Sequence, residues 1–146
     1  MSLILILHIK TFEMKKIMLL GLFALCSLAT AFAATPPEAV LKAFKQKYPD
    51  AQDVDWSKEK NGEWEAEFEL PGNSKEMSTT FSADGKWLET ETEIEFSELP
   101  APVRSALQGK KVKEVARIEK ADGTTVYEAE VKRKDLLFDA SGKVVN

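Results

Sequence analysis

The sequence predicts an α+β fold: two tandem α-β-β-β-β units sharing one antiparallel sheet of about eight strands, two helices packed on one face. Three observations predict it. Pro37, Val40, Phe44, Trp64, Glu65, Ala66, Glu67 and Phe68 match Pro100, Val103, Leu107, Tyr127, Glu128, Ala129, Glu130 and Val131, all at an offset of 63 positions. A single offset over that many positions marks an internal repeat. Segments such as Trp64–Leu70 alternate apolar and acidic residues at period two, the pattern of half-buried strands. Asn61-Gly62, Asp84-Gly85, Asp122-Gly123 and Ser141-Gly142 punctuate these runs as hairpin turns do.

Each copy opens with a helix. Thr35-Pro36-Pro37-Glu38 offers an N-cap Thr, a Pro where no N–H is needed and a capping-box Glu. Val40, Ala43, Phe44 and the stem of Lys47 then share a face, and Tyr48-Pro49 ends the helix. The second helix starts near Leu99-Pro100, presents Val103, Ala106 and Leu107, and stops at Gly109. Four strands follow each helix. Phe81 and Gly85 match Phe138 and Gly142 at the smaller offset of 57, because the first copy has a longer loop around Pro71-Gly72-Asn73.

The domain organisation expected is a leader over 1–33 and one domain over 34–146, made of repeats 34–96 and 97–146. Residues 1–13 read as a mis-assigned start. From Met14, Lys15-Lys16, an apolar run from Ile17 to Leu28 and Ala31-Phe32-Ala33 form the three regions of a signal peptide, cleaved at Ala33-Ala34. Cys26 lacks the small preceding residue that lipid attachment requires. The expected location is therefore periplasmic or secreted, with no stable membrane insertion after cleavage.

His8 and Cys26 both fall in the leader, so the exported domain has no disulfide, no thiol or imidazole nucleophile and no zinc set. No glycine-rich phosphate loop occurs. Ser-Lys pairs sit in or beside turns. The sequence offers no catalytic residues, and an enzyme is not expected. A net charge of −4 gives no footprint for nucleic acid.

Charge is uneven along the chain: residues 34–96 carry a net −8 and 97–146 a net +2. Glu65 and Glu67 alternate against the Trp64 row, and Glu89, Glu91 and Glu93 against Leu88, Ile94 and Phe96. If both acidic rows share the helix-free face, like charges crowd on neighbouring strands, which destabilises a sheet unless something offsets them. Interleaved lysines, a bound cation or a basic partner would do so. Trp87 has the parity of Glu89 and Glu91, which puts an aromatic anchor on the acidic face. A bulge at Asp84-Gly85 would instead reset that parity and turn Trp87 into the core. Trp56 and Trp64 share the core parity.

The partner expected is a basic or partly apolar protein or peptide, held by Trp87, Glu65, Glu67, Glu89, Glu91 and Glu93. No cofactor is expected. The alternative is a calcium-responsive protein, since carboxylate oxygens are the only metal ligands left. Asp50, Asp53 and Asp55 form the second cluster for that reading, without the spacing, glycine or final Glu of an EF-hand.

The Pro-led helix, Tyr48-Pro49-Asp50-Ala51, Val54-x-Trp56, Trp64-Glu65-Ala66-Glu67-Phe68, Asp84-Gly85-Lys86 and Leu99-Pro100-x-x-Val103 together resemble the PepSY-like periplasmic proteins. The resemblance spans 34–146. It implies the β-lactamase-inhibitor-protein fold of tandem helix-plus-four-strand units. PepSY-type domains also occur in propeptides of thermolysin-type peptidases, which implies an inhibitory or regulatory role toward a protein. The family pattern has no catalytic residue to carry over.

Overall fold

The computed structural model describes residues 35–73 and 75–145. The expected leader, with His8, Cys26 and the Ala33-Ala34 cleavage point, lies outside the described residues. The elements are α1 (Glu38–Lys47), β1 (Gln52–Lys58), β2 (Trp64–Glu69), β3 (Met77–Phe81) and β4 (Trp87–Glu93), then a 3-10 turn (Phe96–Glu98). These are followed by α2 (Ala101–Ala106), β5 (Val112–Lys120), β6 (Thr125–Val131), β7 (Lys134–Phe138) and β8 (Val144–Val145). All eight strands form one antiparallel sheet in sequence order. The ladder between β4 and β5 joins the two helix-plus-four-strand runs.

Both helices pack on the same side of the sheet through period-two strand residues. Val40 and Phe44 of α1 meet Trp64, Ala66, Phe68 and Phe81, with the Phe44 ring edge-on to Phe68 at 5.2 Å. Val103 of α2 and the flanking Leu99 and Leu107 meet Val115, Ala129, Val131 and Phe138. The two cores are thus repeat-related, aromatic in the first and largely aliphatic in the second.

Four hairpins use the same five-residue turn. Gly62, Gly85, Gly123 and Gly142 each donate their N–H to the carbonyl three residues back, at 2.8–3.0 Å, with φ between 82° and 90°. That is a type I turn closed by a left-handed residue, which glycine adopts without a Cβ penalty. Two of these glycines also meet a helix: the methyl position on Gly85 lies 2.6 Å from the carbonyl oxygen of Ala39, and that on Gly142 lies 2.6 Å from that of Pro102. The same contact recurs at repeat-related positions.

Two sequence expectations need correction. Thr35 does not cap α1, since Pro37 is the N-cap and no side chain bonds to the first turn. The Pro36-Pro37 pair holds the chain extended there, and the Pro37 carbonyl accepts the first helical N–H groups directly. Phe96 does not continue the core row of β4, because the strand ends at Glu93 and Phe96 opens an exposed 3-10 turn. A capping box between Glu95 and Glu98, with an ion pair from Lys75 to Glu98, fixes that turn.

Candidate binding face

The helix-free face is read from strand register, since directly paired residues of an antiparallel ladder point to the same side. One row crosses the sheet as Ser57, Glu65, Thr80, Glu89 and Lys120. The next runs Asp55, Glu67, Ser78, Glu91, Ile118 and Val126. A third runs Glu93, Ala116, Glu128, Leu137 and Val145, and Glu130 pairs with Asp135 beyond it. Glu65, Glu67, Glu89, Glu91 and Glu93 therefore share one face. The acidic rows of β2 and β4 are not neighbours, however: the Ser78 and Thr80 hydroxyls of β3 stand between them, two strand spacings or about 10 Å apart.

Lysines relieve the margins and leave the middle bare. Lys120 stands 3.8 Å from Glu89, and Lys113 bonds Glu130 at 2.6 Å. Among the described residues Glu65, Glu67, Glu91 and Glu128 have no ion pair. Burial holds the Glu91 carboxyl up at about 7, with Glu65, Glu89, Glu114 and Asp135 adding repulsion. Burial likewise raises Glu128 to about 8, reinforced by Glu91, Asp135, Glu114 and Glu89. Glu65 is raised by burial and by Glu59 and Glu67, while the Ser78 and Ser57 hydroxyls pull it back. Burial and Asp55 raise Glu67.

The strip beside these carboxylates is hydrocarbon. Ala116 and Ile118 are buried, and Val126, Leu137 and Val145 are half-buried. The acid-to-apolar change falls at the β4–β5 seam, where Glu91 is paired with Ile118.

Sequence parity misplaces Trp87. A bulge at Leu88 sets Trp87 opposite Phe81 while Glu89 stays opposite Thr80, so Trp87 lies on the helix side, away from the glutamates. Its Nε1 donates to the Thr90 hydroxyl at 2.9 Å and the Thr79 hydroxyl at 3.2 Å. The Lys47 ammonium sits 3.8 Å from its ring centroid, and Tyr48 bonds Thr90 alongside. The bulge is the expected alternative, displaced from the Asp84-Gly85 turn to Leu88.

Asp50, Asp53 and Asp55 are not brought together either. Asp50 lies in the turn after α1, Asp53 in an irregular, left-handed stretch of β1 at φ 50°, and Asp55 in the acidic row opposite Glu67. No group of three or more His, Cys, Asp or Glu side chains is arranged to hold a metal among the described residues.

Four carboxylates of the second copy, Glu114, Glu128, Glu130 and Asp135, join the face and were not singled out from the sequence. The repeat offset carries the signal for two of them, because Glu128 and Glu130 are the counterparts of Glu65 and Glu67. The charge imbalance between halves is thus also an imbalance between faces. Lys42, Lys45 and Lys47 project from α1, and Lys58, Arg117 and Lys134 occupy helix-side strand positions.

Helices on one side of a single eight-stranded meander, with the other side open, define a β-lactamase-inhibitor-like α+β fold. The chain belongs to the PepSY-like family, described as beta-lactamase-inhibitor-like, whose model matches residues 61–146. Among curated proteins none matches it. A DUF2874 family protein from Bacteroides ovatus is 24% identical with a TM-score of 0.68, covering 77% of this chain and 86% of that one. A "putative periplasmic" protein from Bacteroides eggerthii is 23% identical at 0.68, covering 77% and 88%. A BLIP-like protein from Bacteroides fragilis is 27% identical at 0.64, covering 77% and 85%.

Proposed function

We propose that this protein is a non-enzymatic binding module of the cell envelope that holds a basic, partly apolar protein partner on its open sheet face. One observation carries the reading. Half-buried carboxylates, Glu65, Glu67 and Glu91 among them, face the same way with no ion pair among the described residues, beside an apolar strip. Such a face is costly alone and is relieved by a cationic ligand. The inhibitor-like family and the Bacteroides fragilis relative support a protein as the ligand, and an inhibitory or regulatory effect on it. The relative described as periplasmic and the signal-like leader support the envelope as its location.

Crosslinking in intact cells, followed by mass spectrometry, tests this. The expected result is a partner set lost in a Glu67→Lys, Glu91→Lys variant. Retention of every crosslink by that variant would overturn the reading.

A further inference from the structure

The β4–β5 seam carries a more specific site. Glu91 and Glu128 lie in adjacent rows on either side of Ala116 and Ile118. Glu128 is only 7% exposed as a residue; its carboxylate oxygens keep an opening to solvent, and no ion pair reaches them from the described residues. A carboxylate this buried is ordinarily paired. The charged groups that act most strongly on the two all add the same sign: Glu65 on β2, Glu89 on β4, Glu114 on β5 and Asp135 on β7. The nearest lysines are engaged, Lys120 with Glu89 and Lys113 with Glu130 and Glu114. Two uncompensated carboxylates therefore flank hydrocarbon formed by Ile118, Val126 and Leu137.

We infer that Glu91 and Glu128 together take one cationic side chain of a protein partner, with the apolar residue beside that cation seated on Ile118, Val126 and Leu137. This rests on the reading of the open face as the binding surface and names the anchor within it. A guanidinium fits better than an ammonium, because its planar donors reach two carboxylates at once. The apolar strip makes the recognised element a cation flanked by hydrocarbon, distinct from a run of lysines.

The probe is N-acetyl-Leu-Arg-Leu-amide, with the citrulline tripeptide as its uncharged isostere and N-acetyl-Gly-Arg-Gly-amide as the form without apolar flanks. Amide chemical shifts of the purified protein are followed during titration near pH 8, where the Glu91 carboxyl is ionised and that of Glu128 about half so in the free protein. The arginine peptide is expected to move Glu91, Ile118, Glu128 and Leu137, and the two control peptides to bind about tenfold more weakly. A Glu91→Gln, Glu128→Gln variant, whose own spectrum reports its folding, is expected to lose the arginine preference. Equal binding of the citrulline peptide, shifts confined to Glu65 and Glu67, or an unchanged preference in the double variant would overturn the inference. Absence of shifts at millimolar peptide would do the same. If the seam fails while cellular crosslinks still depend on Glu67 and Glu91, the anchor is wrong and the face is right. If both fail, the face is wrong.

Discussion

Gly85 and Ala39 are in contact without room for a methyl group: a Cβ on Gly85 would lie 2.6 Å from the Ala39 carbonyl oxygen and 2.8 Å from its carbon. The hairpin between β3 and β4 is thereby locked under α1, as the β7–β8 hairpin is under α2 through Gly142 and Pro102. Gly62 and Gly123 have the same positive φ and nothing within 4 Å of the methyl position. Gly85→Ala and Gly142→Ala should each cost about 3 kcal/mol, from the clash added to the left-handed strain. Gly62→Ala and Gly123→Ala should cost about 1 kcal/mol, from conformation alone. Urea unfolding of the four variants measures both terms; equal losses at all four would refute the lock.

Stability should fall as pH rises through neutrality. Glu91 and Glu128 are held at about 7 and about 8 in the folded chain, against an ordinary value of 4.5. A raised carboxyl makes the folded state bind more protons than the unfolded one, so acidification stabilises between those limits. The Glu91→Gln, Glu128→Gln variant should exceed wild type by about 2 kcal/mol near pH 9 and match it near pH 4, the figure being discounted for residual solvent screening. Denaturation profiles at the two pH values check this, and a constant difference across the range would count against it.

The β6–β7 turn holds two non-glycine residues in the left-handed region, Lys132 at φ 54° and Arg133 at φ 64°. A two-residue hairpin of this kind favours Asn-Gly. Lys132→Asn with Arg133→Gly should therefore stabilise by about 1 kcal/mol, read as a higher melting temperature. A lower one would mean that the two cations make contacts the backbone argument omits.

Trp87 should behave as a packing residue. Trp87→Phe keeps an aromatic ring on the helix side but gives up the second ring of the indole, the Nε1 donations to Thr79 and Thr90 and part of the contact with Lys47. The two threonines still bond each other at 3.1 Å, so the loss should be about 2 kcal/mol, shared between the donor and the vacated ring volume. Crosslinking by the open face should be unchanged, which a paired stability and crosslinking measurement tests.

Calcium should have no special effect. The acidic rows are spread across Ser78 and Thr80, so divalent ions act on them by screening. Calcium and magnesium at equal concentration should raise the melting temperature equally. A rise specific to calcium would revive a dedicated site.

Period two sufficed to place Glu65, Glu67, Glu89, Glu91 and Glu93 on one face, because β2 is regular and β4 is regular from Glu89 onward. It failed at Trp87, since a single extra residue at Leu88 reverses parity without any local mark such as Gly or Pro. Phe96 misled for a related reason. The capping of the 3-10 turn by Glu95 and Glu98 is a backbone event that hydropathy does not register. The buried state of Glu128 was also illegible in alternation alone, because nothing in its spacing separates it from Glu130, which has Lys113 as partner.

The sheet divides the molecule's charge by side, carboxylates toward the open face and α1 lysines toward the other. That separation amounts to a dipole along the sheet normal, and its field acts over about 10 Å at ordinary ionic strength. Near any charged body the molecule feels a torque before it touches. A cationic surface turns the glutamates inward and an anionic one draws the helices, so the side presented is chosen during approach and the first collision is already oriented.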